Sequence, residues 1–312
     1  MAVSYCVTLY DKGPFIAAVL RAAAIERDRT GGEILVWDDG SRDSGPDIVR
    51  DLSQRLGITL MGGPPNRGLF AATNAVLAAA RFPLIKLLDA DDVLVPGGTA
   101  RLAAELDRFG LGFVHGGAIA AEMQEREASR LGPVAESGAC EIPRNPLRTL
   151  IRNFGTNPSA SLFRASALRA VLPLPRQWRQ CQDYALALGL VAAGHPWGRI
   201  ADTVCVLPTD RAGRLSSNEA DVFRYLAAVL ARQAGLGLPL SALRYGTGRN
   251  AARALRWLRR HHPLALPAAM PGLLTLRLGA SLASAAACLA GLERIEALYT
   301  RLDQLPPVPS AI

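Results

Sequence analysis

The stretch Leu84-Ile85-Lys86-Leu87-Leu88-Asp89-Ala90-Asp91-Asp92 decides the fold. A short, nearly unbroken apolar run ends abruptly in three carboxylates. A run of this length reads as a strand buried on both faces, and such strands belong to parallel sheets covered by helices. Working outward, the same grammar recurs. Ser4–Tyr10, Glu33–Trp37 and Ile58–Met61 read as strands. Helical patterns over Pro14–Arg27, Asp47–Leu56 (with Ser44 placed to cap it), Leu69–Arg81 and Pro96–Phe109 separate and follow them. Alternating strand and helix predicts a doubly wound α/β sheet over residues 1 to about 115. Ligands in such sheets bind beyond the carboxyl ends of the strands. That rule selects Thr8–Lys12, Asp38–Ser41 and Asp89–Asp92.

Each place has a chemical reading and a plainer one. Three carboxylates at Asp89, Asp91 and Asp92 repel one another unless something positive compensates. A hard divalent cation shared with diphosphate oxygens does so; the plainer reading is an exposed acidic turn before Pro96. Asp38-Asp39-Gly40-Ser41 offers acceptors for a nucleobase N–H or a ribose hydroxyl, or is a solvated turn capping the next helix. Asn66-Arg67-Gly68 precedes a helix start, where phosphate oxygens bind.

Taken in order, these motifs resemble the family 2 glycosyltransferases, which have the GT-A fold. The matching stretches are Val7-Thr8-Leu9-Tyr10-Asp11-Lys12, Glu33 through Asp43, Asn66-Arg67-Gly68 through Asn74, and Leu88-Asp89-Ala90-Asp91-Asp92 with Pro96. The likeness continues to about Ser217, through Asn157–Arg164, Gln182-Asp183-Tyr184 and the loop Arg211–Ser217. It implies a GT-A-like, Rossmann-type, mostly parallel sheet flanked by helices. It also implies a nucleotide diphosphate sugar as donor, usually with uracil as base. Thr8, Tyr10 and Asp39 would line the nucleobase pocket; Asp89 and Asp91 would contact ribose and metal, with Asp92 beside the metal, Mn²⁺ or Mg²⁺. Arg67, Asn74, Arg211 and Arg214 are the expected donor contacts, and Asp183 the catalytic base. Three positions depart from the pattern: Thr73 stands where Arg often precedes Asn74, Gln182 where Glu is common, and Asp11 where Asn is frequent. Without the resemblance, Asp183 has a plainer reading, a carboxylate stabilised at a helix start. Trp178 reads as a sugar-stacking surface or an ordinary buried Trp, and His115 as core or pocket wall.

From Phe113 to Ile142 the pattern is irregular and polar; beyond it come helices at Leu147–Asn153, Ala165–Val171 and Asp183–Ala193 and strands at Ser159–Phe163 and Ile200–Leu207. The expected division is a transferase domain over 1–215, with a nucleotide-sugar half to about 115 and an acceptor half over 116–215. A helical C-terminal extension follows over 216–312. Of the formal charge of +8, nine arginines lie between Arg224 and Arg277, within an acid-free run from Val222 to Leu292. The remainder is therefore close to neutral. The chain has 33 arginines and two lysines, Lys12 and Lys86, so a lone arginine says little.

On a helix over Ser241–Arg260, Arg249, Arg253, Arg256 and Arg260 form one stripe, with Ala251, Leu255 and Leu258 on the opposite face and Trp257 at the boundary. A basic amphipathic helix of this kind suits an anionic membrane surface; a helical core extension suits the pattern as well. Nucleic-acid binding ranks last, for want of interleaved aromatics. The apolar run Leu278–Leu292 is shorter than the roughly 20 residues a spanning helix needs. Five scattered cysteines and no signal-like start suit the cytoplasm, with peripheral attachment at the inner membrane face. The expected activity is metal-dependent, inverting transfer of a sugar to a hydroxyl of a glycan or lipid-linked acceptor, in polysaccharide or glycoconjugate synthesis. A nucleotidyltransferase and a non-catalytic nucleotide-sugar-binding protein are the alternatives.

Overall fold

Strand β1 (Val3–Leu9) buries all seven of its residues, because it is flanked by β2 (Gly32–Asp38) on one side and β4 (Leu84–Asp89) on the other. The computed structural model describes residues 2–122, 132–134, 138–153, 156–209 and 218–303. An eight-stranded sheet runs in the order β3-β2-β1-β4-β7-β6-β8-β5. The remaining strands are β3 (Ile58–Gly62), β5 (Val93–Leu94), β6 (Phe113–Ala121), β7 (Ser161–Arg164) and β8 (Trp197–Pro208). β1, β2, β3 and β4 are mutually parallel, whereas β7 is antiparallel to both β4 and β6. The parallel half is the expected nucleotide half. β6, where the sequence looked irregular, is a nine-residue strand with a register shift around Gly117.

Helices cover both faces of this sheet. On one face α1 (Gly13–Thr30), α2 (Gly45–Leu56) and α4 (Gly98–Arg108) pack over Val3, Tyr5, Val7, Leu84 and Leu88. Burying each large apolar side chain there stabilises by roughly 1.5–3 kcal/mol. Glu26, fully buried on α1, accepts hydrogen bonds from the backbone N–H of Gly97 and Thr99 and so fixes the start of α4. Three further helices are α3 (Leu69–Ala79), α6 (Ala165–Arg169) and α7 (Gln182–Ala192). Ser44 precedes α2 but makes no side-chain cap; Asp43 instead binds the backbone N–H of Gly13 and Gly45, joining the starts of α1 and α2.

The chain divides into two units, one formed by residues 1–144 and 156–212, the other by 145–155 and 213–312. The second unit is helical, with α5 (Pro146–Arg152), α8 (Glu219–Gly235), α9 (Leu240–His261), α10 (Leu266–Gly279) and α11 (Ala285–Asp303). The continuous division at 215 therefore needs correcting: α5 belongs with the C-terminal helices. Sequence proximity hid this, because α5 is held by distant residues. Arg253 of α9 donates to the carbonyl of Ile151 at 2.9 Å and Arg249 to that of Arg152 at 3.2 Å.

The same bonds correct the arginine stripe. Arg253 is buried, and Arg260 lies 3.6 Å from Glu219. Trp257 and Leu258 are also buried, the Trp257 ring 5.0 Å from that of Tyr299. α9 packs against α5, α8, α10 and α11, while Arg256, Arg259 and Arg260 stay exposed. Outward apolar residues of this unit include Leu236 and Leu240 and, later, Leu264, Met270, Leu278 and Leu282. Among the described residues no helix is long and apolar enough to cross a membrane.

Candidate active site

The carboxyl ends of β2, β1 and β4 lie side by side, and Thr8 is the register partner of Asp89. Hydrogen bonds stitch the loops that leave these strands. Asp11 adopts φ 47°, a left-handed conformation that Asn and Asp tolerate best. That tolerance explains why either residue serves there. Its carboxylate accepts from the backbone N–H of Arg42 at 2.7 Å, the main reason its pKa lies below the ordinary value, while its own N–H donates to Ser41. Arg42 also donates to the Tyr10 hydroxyl at 3.1 Å, so Tyr10 stands exposed at the mouth of the site.

Asp39 is almost fully buried, and its two oxygens accept from the backbone N–H of Arg67 at 3.0 Å and of Gly68 at 2.8 Å. It thus fixes the loop that opens α3. Gly40 has φ 78°, and a Cβ there would lie 2.9 Å from the Asn66 nitrogen, so only glycine lets the two loops approach. Arg67 is held by its backbone, and the residue is exposed. Asn74 needs correcting as a donor contact. Its amide nitrogen donates to the carbonyl of Leu174, and its oxygen accepts from the Leu174 N–H, each at 2.8 Å. With both ends of the amide engaged, it braces the loop before α7.

The acidic triplet separates into three environments. Asp89 is partly exposed; its N–H donates to Ser159 at 3.0 Å, and its carboxylate accepts from Gln182 at 3.4 Å. Asp91 accepts from the Lys12 ammonium at 2.7 Å. Asp92 is fully buried and accepts from Asn157 at 3.4 Å, which takes it out of the open metal set the sequence suggested. Among the described residues no group of three or more His, Cys, Asp or Glu side chains is arranged to hold a metal by itself. Asp91 nevertheless draws a cation to the strand end, which fits a divalent ion shared between one carboxylate and diphosphate oxygens.

Asp183 opens α7, where the helix dipole and a hydrogen bond from Thr156 at 3.2 Å favour the charged form. Burial outweighs both and raises its pKa to about 6. A carboxylate poised there is suited to accept a proton near neutral pH. Trp178 is buried edge-on against Phe70 at 5.8 Å, an ordinary core contact. His115 bonds Ser161 at 2.9 Å, and burial lowers its pKa to about 4, so it is neutral wall. Arg211 and Arg214 lie outside the described residues.

The family model described as Glycosyl transferase family 2 matches residues 4–172. The chain belongs to that family. This GT2 chain is 31% identical over 101 residues to the succinoglycan biosynthesis protein ExoU of Rhizobium meliloti, covering 32% of this chain and 30% of that protein. An uncharacterized protein of Mycobacterium tuberculosis is 32% identical over 105 residues, 34% of this chain and 32% of its own. The matches span about a third of these curated relatives. Among solved structures, S. aureus TarS 1–349 superposes with TM-score 0.62 at 14% identity, covering 96% of this chain and 92% of that one. The mannosyltransferase PcManGT of Pyrobaculum calidifontis, solved with GDP-Man and Mn²⁺, gives 0.59 at 18% identity, covering 97% and 88%. At such identities the likeness shows the fold, a GT-A glycosyltransferase fold.

Lys12, Thr156 and Ser159 join the site without having been given a role from the sequence, and Thr73 and Gln182, noted only as departures from the family pattern, join it as well. Lys12 left a usable signal: in a chain of 33 arginines and two lysines, a lysine at a strand end is informative.

Proposed function

We propose that the protein transfers a sugar from a nucleoside diphosphate, UDP favoured, to a hydroxyl of a glycan or lipid-linked acceptor, with inversion. One observation carries the reading. Gln182 reaches Asp89 at 3.4 Å, so the start of α7, where Asp183 lies, meets the end of the donor-side strand. The acceptor hydroxyl gives its proton to Asp183 as its oxygen attacks the anomeric carbon from the face opposite the diphosphate. Tyr10 and Thr8 flank the base, and the loop held by Asp39 presents the start of α3 to the phosphates. A divalent ion, Mn²⁺ or Mg²⁺, held at Asp91 when the diphosphate is bound, would stabilise charge on the leaving group. TarS has been solved with UDP-GlcNAc, and ExoU serves succinoglycan synthesis; both favour a UDP-sugar and a polysaccharide acceptor.

The protein would act at the cytoplasmic face of the plasma membrane. The support is the acid-free, arginine-bearing run together with the outward Leu264, Met270, Leu278 and Leu282. Flotation with anionic vesicles at low salt tests attachment; a chain that stays at the bottom of the gradient ends that part of the reading.

Product assays with a panel of UDP-, GDP- and dTDP-sugars test the reaction. Sugar transfer from one donor supports it. Transfer of the nucleotidyl group with release of a sugar 1-phosphate would favour a nucleotidyltransferase, and binding without turnover a non-catalytic role.

A further inference from the structure

The two buried positions at which the sequence departs from the family pattern touch each other. The hydroxyl of Thr73, fully buried on α3, lies 2.6 Å from Oε1 of Gln182, the first residue of α7. The other end of the same amide, Nε2, reaches Asp89 Oδ1 at 3.4 Å. The chemistry fixes every direction in this chain. An ionised carboxylate only accepts, so Gln182 turns its NH₂ toward Asp89. Its carbonyl then faces Thr73, and the hydroxyl must donate. Residues 109 and 93 positions apart along the chain are thereby joined in one relay, from α3 through α7 to β4.

A glutamate at 182 could not take this place. Ionised, it would set a second carboxylate against Asp89 from a buried position, with the neutral Thr73 hydroxyl at its other side. An arginine at 73 would supply the missing positive charge. Threonine with glutamine, or arginine with glutamate, each gives a neutral pair; mixing them leaves an uncompensated charge.

We propose that Gln182 is a positioning residue, matched in charge to Thr73, that holds the donor-side carboxylate Asp89 against the helix start bearing Asp183. The proposal rests on the donor site described above.

Three full-length variants test it: Gln182→Glu, Thr73→Arg with Gln182→Glu, and Thr73→Val. Thermal midpoints are followed from pH 5 to 8.5, and UDP affinity is measured by calorimetry with Mg²⁺ against the wild type at each pH. A glutamate squeezed against Asp89 keeps its proton at the acid end and must lose it as pH rises. Gln182→Glu should therefore melt close to the wild type at the acid end and fall progressively below it toward pH 8. Its UDP affinity should drop by about tenfold at the alkaline end, the scale of one unneutralised buried neighbour. The double variant should flatten both pH trends. Thr73→Val, which adds no charge, should weaken UDP binding without any pH trend in its midpoint.

A Gln182→Glu variant that tracks the wild type at every pH overturns the proposal, as does a double variant no better than the single one. If Gln182→Glu does not fold, unchanged UDP affinity in Thr73→Val overturns it instead. A wild-type chain that binds no UDP sinks the donor reading, and the pH dependence of the midpoints still reports on the relay.

Discussion

The ammonium of Lys12 lies 2.7 Å from Oδ2 of Asp91. Lys12 follows β1 and Asp91 follows β4, so the contact spans the floor of the donor site at the place where a divalent ion would share the carboxylate. In the donor-free protein an ammonium and a metal ion compete for one oxygen. Lys12→Met should therefore tighten Mn²⁺ binding measured without nucleotide by about tenfold, the scale of one charge-assisted hydrogen bond. Titration monitored by electron paramagnetic resonance reads this directly. Equal affinity in wild type and variant would mean that the ion does not use Asp91, a conclusion that full turnover in Asp91→Ala would reinforce.

Asp183 predicts the acid limb of the rate profile. Its carboxyl titrates near 6 because burial outweighs the stabilising contacts from Thr156 and the Tyr184 backbone. A base works only when deprotonated, so kcat/KM should rise with pH through about 6 and level off above it. Thr156→Val removes a bond to the charged form and should move that limb to higher pH. Asp183→Asn should bind UDP as the wild type does and lose transfer by roughly 10²–10⁴-fold. An unchanged rate in that variant would leave Asp183 as a helix-start carboxylate.

Asn74 separates bracing from binding. Asn74→Ala cuts both bonds to Leu174 and should lower stability by about 1–3 kcal/mol. UDP affinity should hold, since the amide is already spent on backbone. Loss of UDP binding at unchanged stability would return Asn74 to the donor set.

Lys86 is fully buried in the middle of β4, and its Nζ has no hydrogen-bond partner among the described residues. Burial lowers its pKa to about 8, with Cys205 and Glu26 offsetting part of the cost. Below that value the lysine is charged in both the folded and unfolded protein, and the full burial cost applies. Between about 8 and 10.5 the unfolded chain holds the proton that the folded chain has released, so stability gained from this group rises with pH. Lys86→Met should therefore stabilise at pH 7 by on the order of 2 kcal/mol, an advantage that shrinks toward pH 10. Denaturant melts at both pH values check it; a constant difference would mean the ammonium is neutralised in the fold.

The parallel half of the sheet was legible in the sequence because its signals are local. An apolar run bounded by turn residues names a strand, and carboxylates following β2 and β4 must emerge at the strand ends whatever lies around them. Asp39, Asp89 and Asp91 could thus be found by position along the chain, whereas Asp183 at the start of α7 was marked only by the family resemblance. What each carboxylate meets is another matter. Lys12 meets Asp91 across 79 positions, Thr73 meets Gln182 across 109, and Arg253 meets Ile151 across 102. No periodicity or spacing encodes such pairs, because they depend on which strands become neighbours and how far each helix is rotated. The sequence by itself therefore determined the kind of sheet and which end of it carries the acidic site. Only the tertiary structure decided that Asp91 is paired, Asp92 enclosed, Asn74 engaged as a brace and Arg253 of α9 turned inward. Burial and hydrogen-bond partners belong to the packed chain, and a residue's type sets only which partners it can accept.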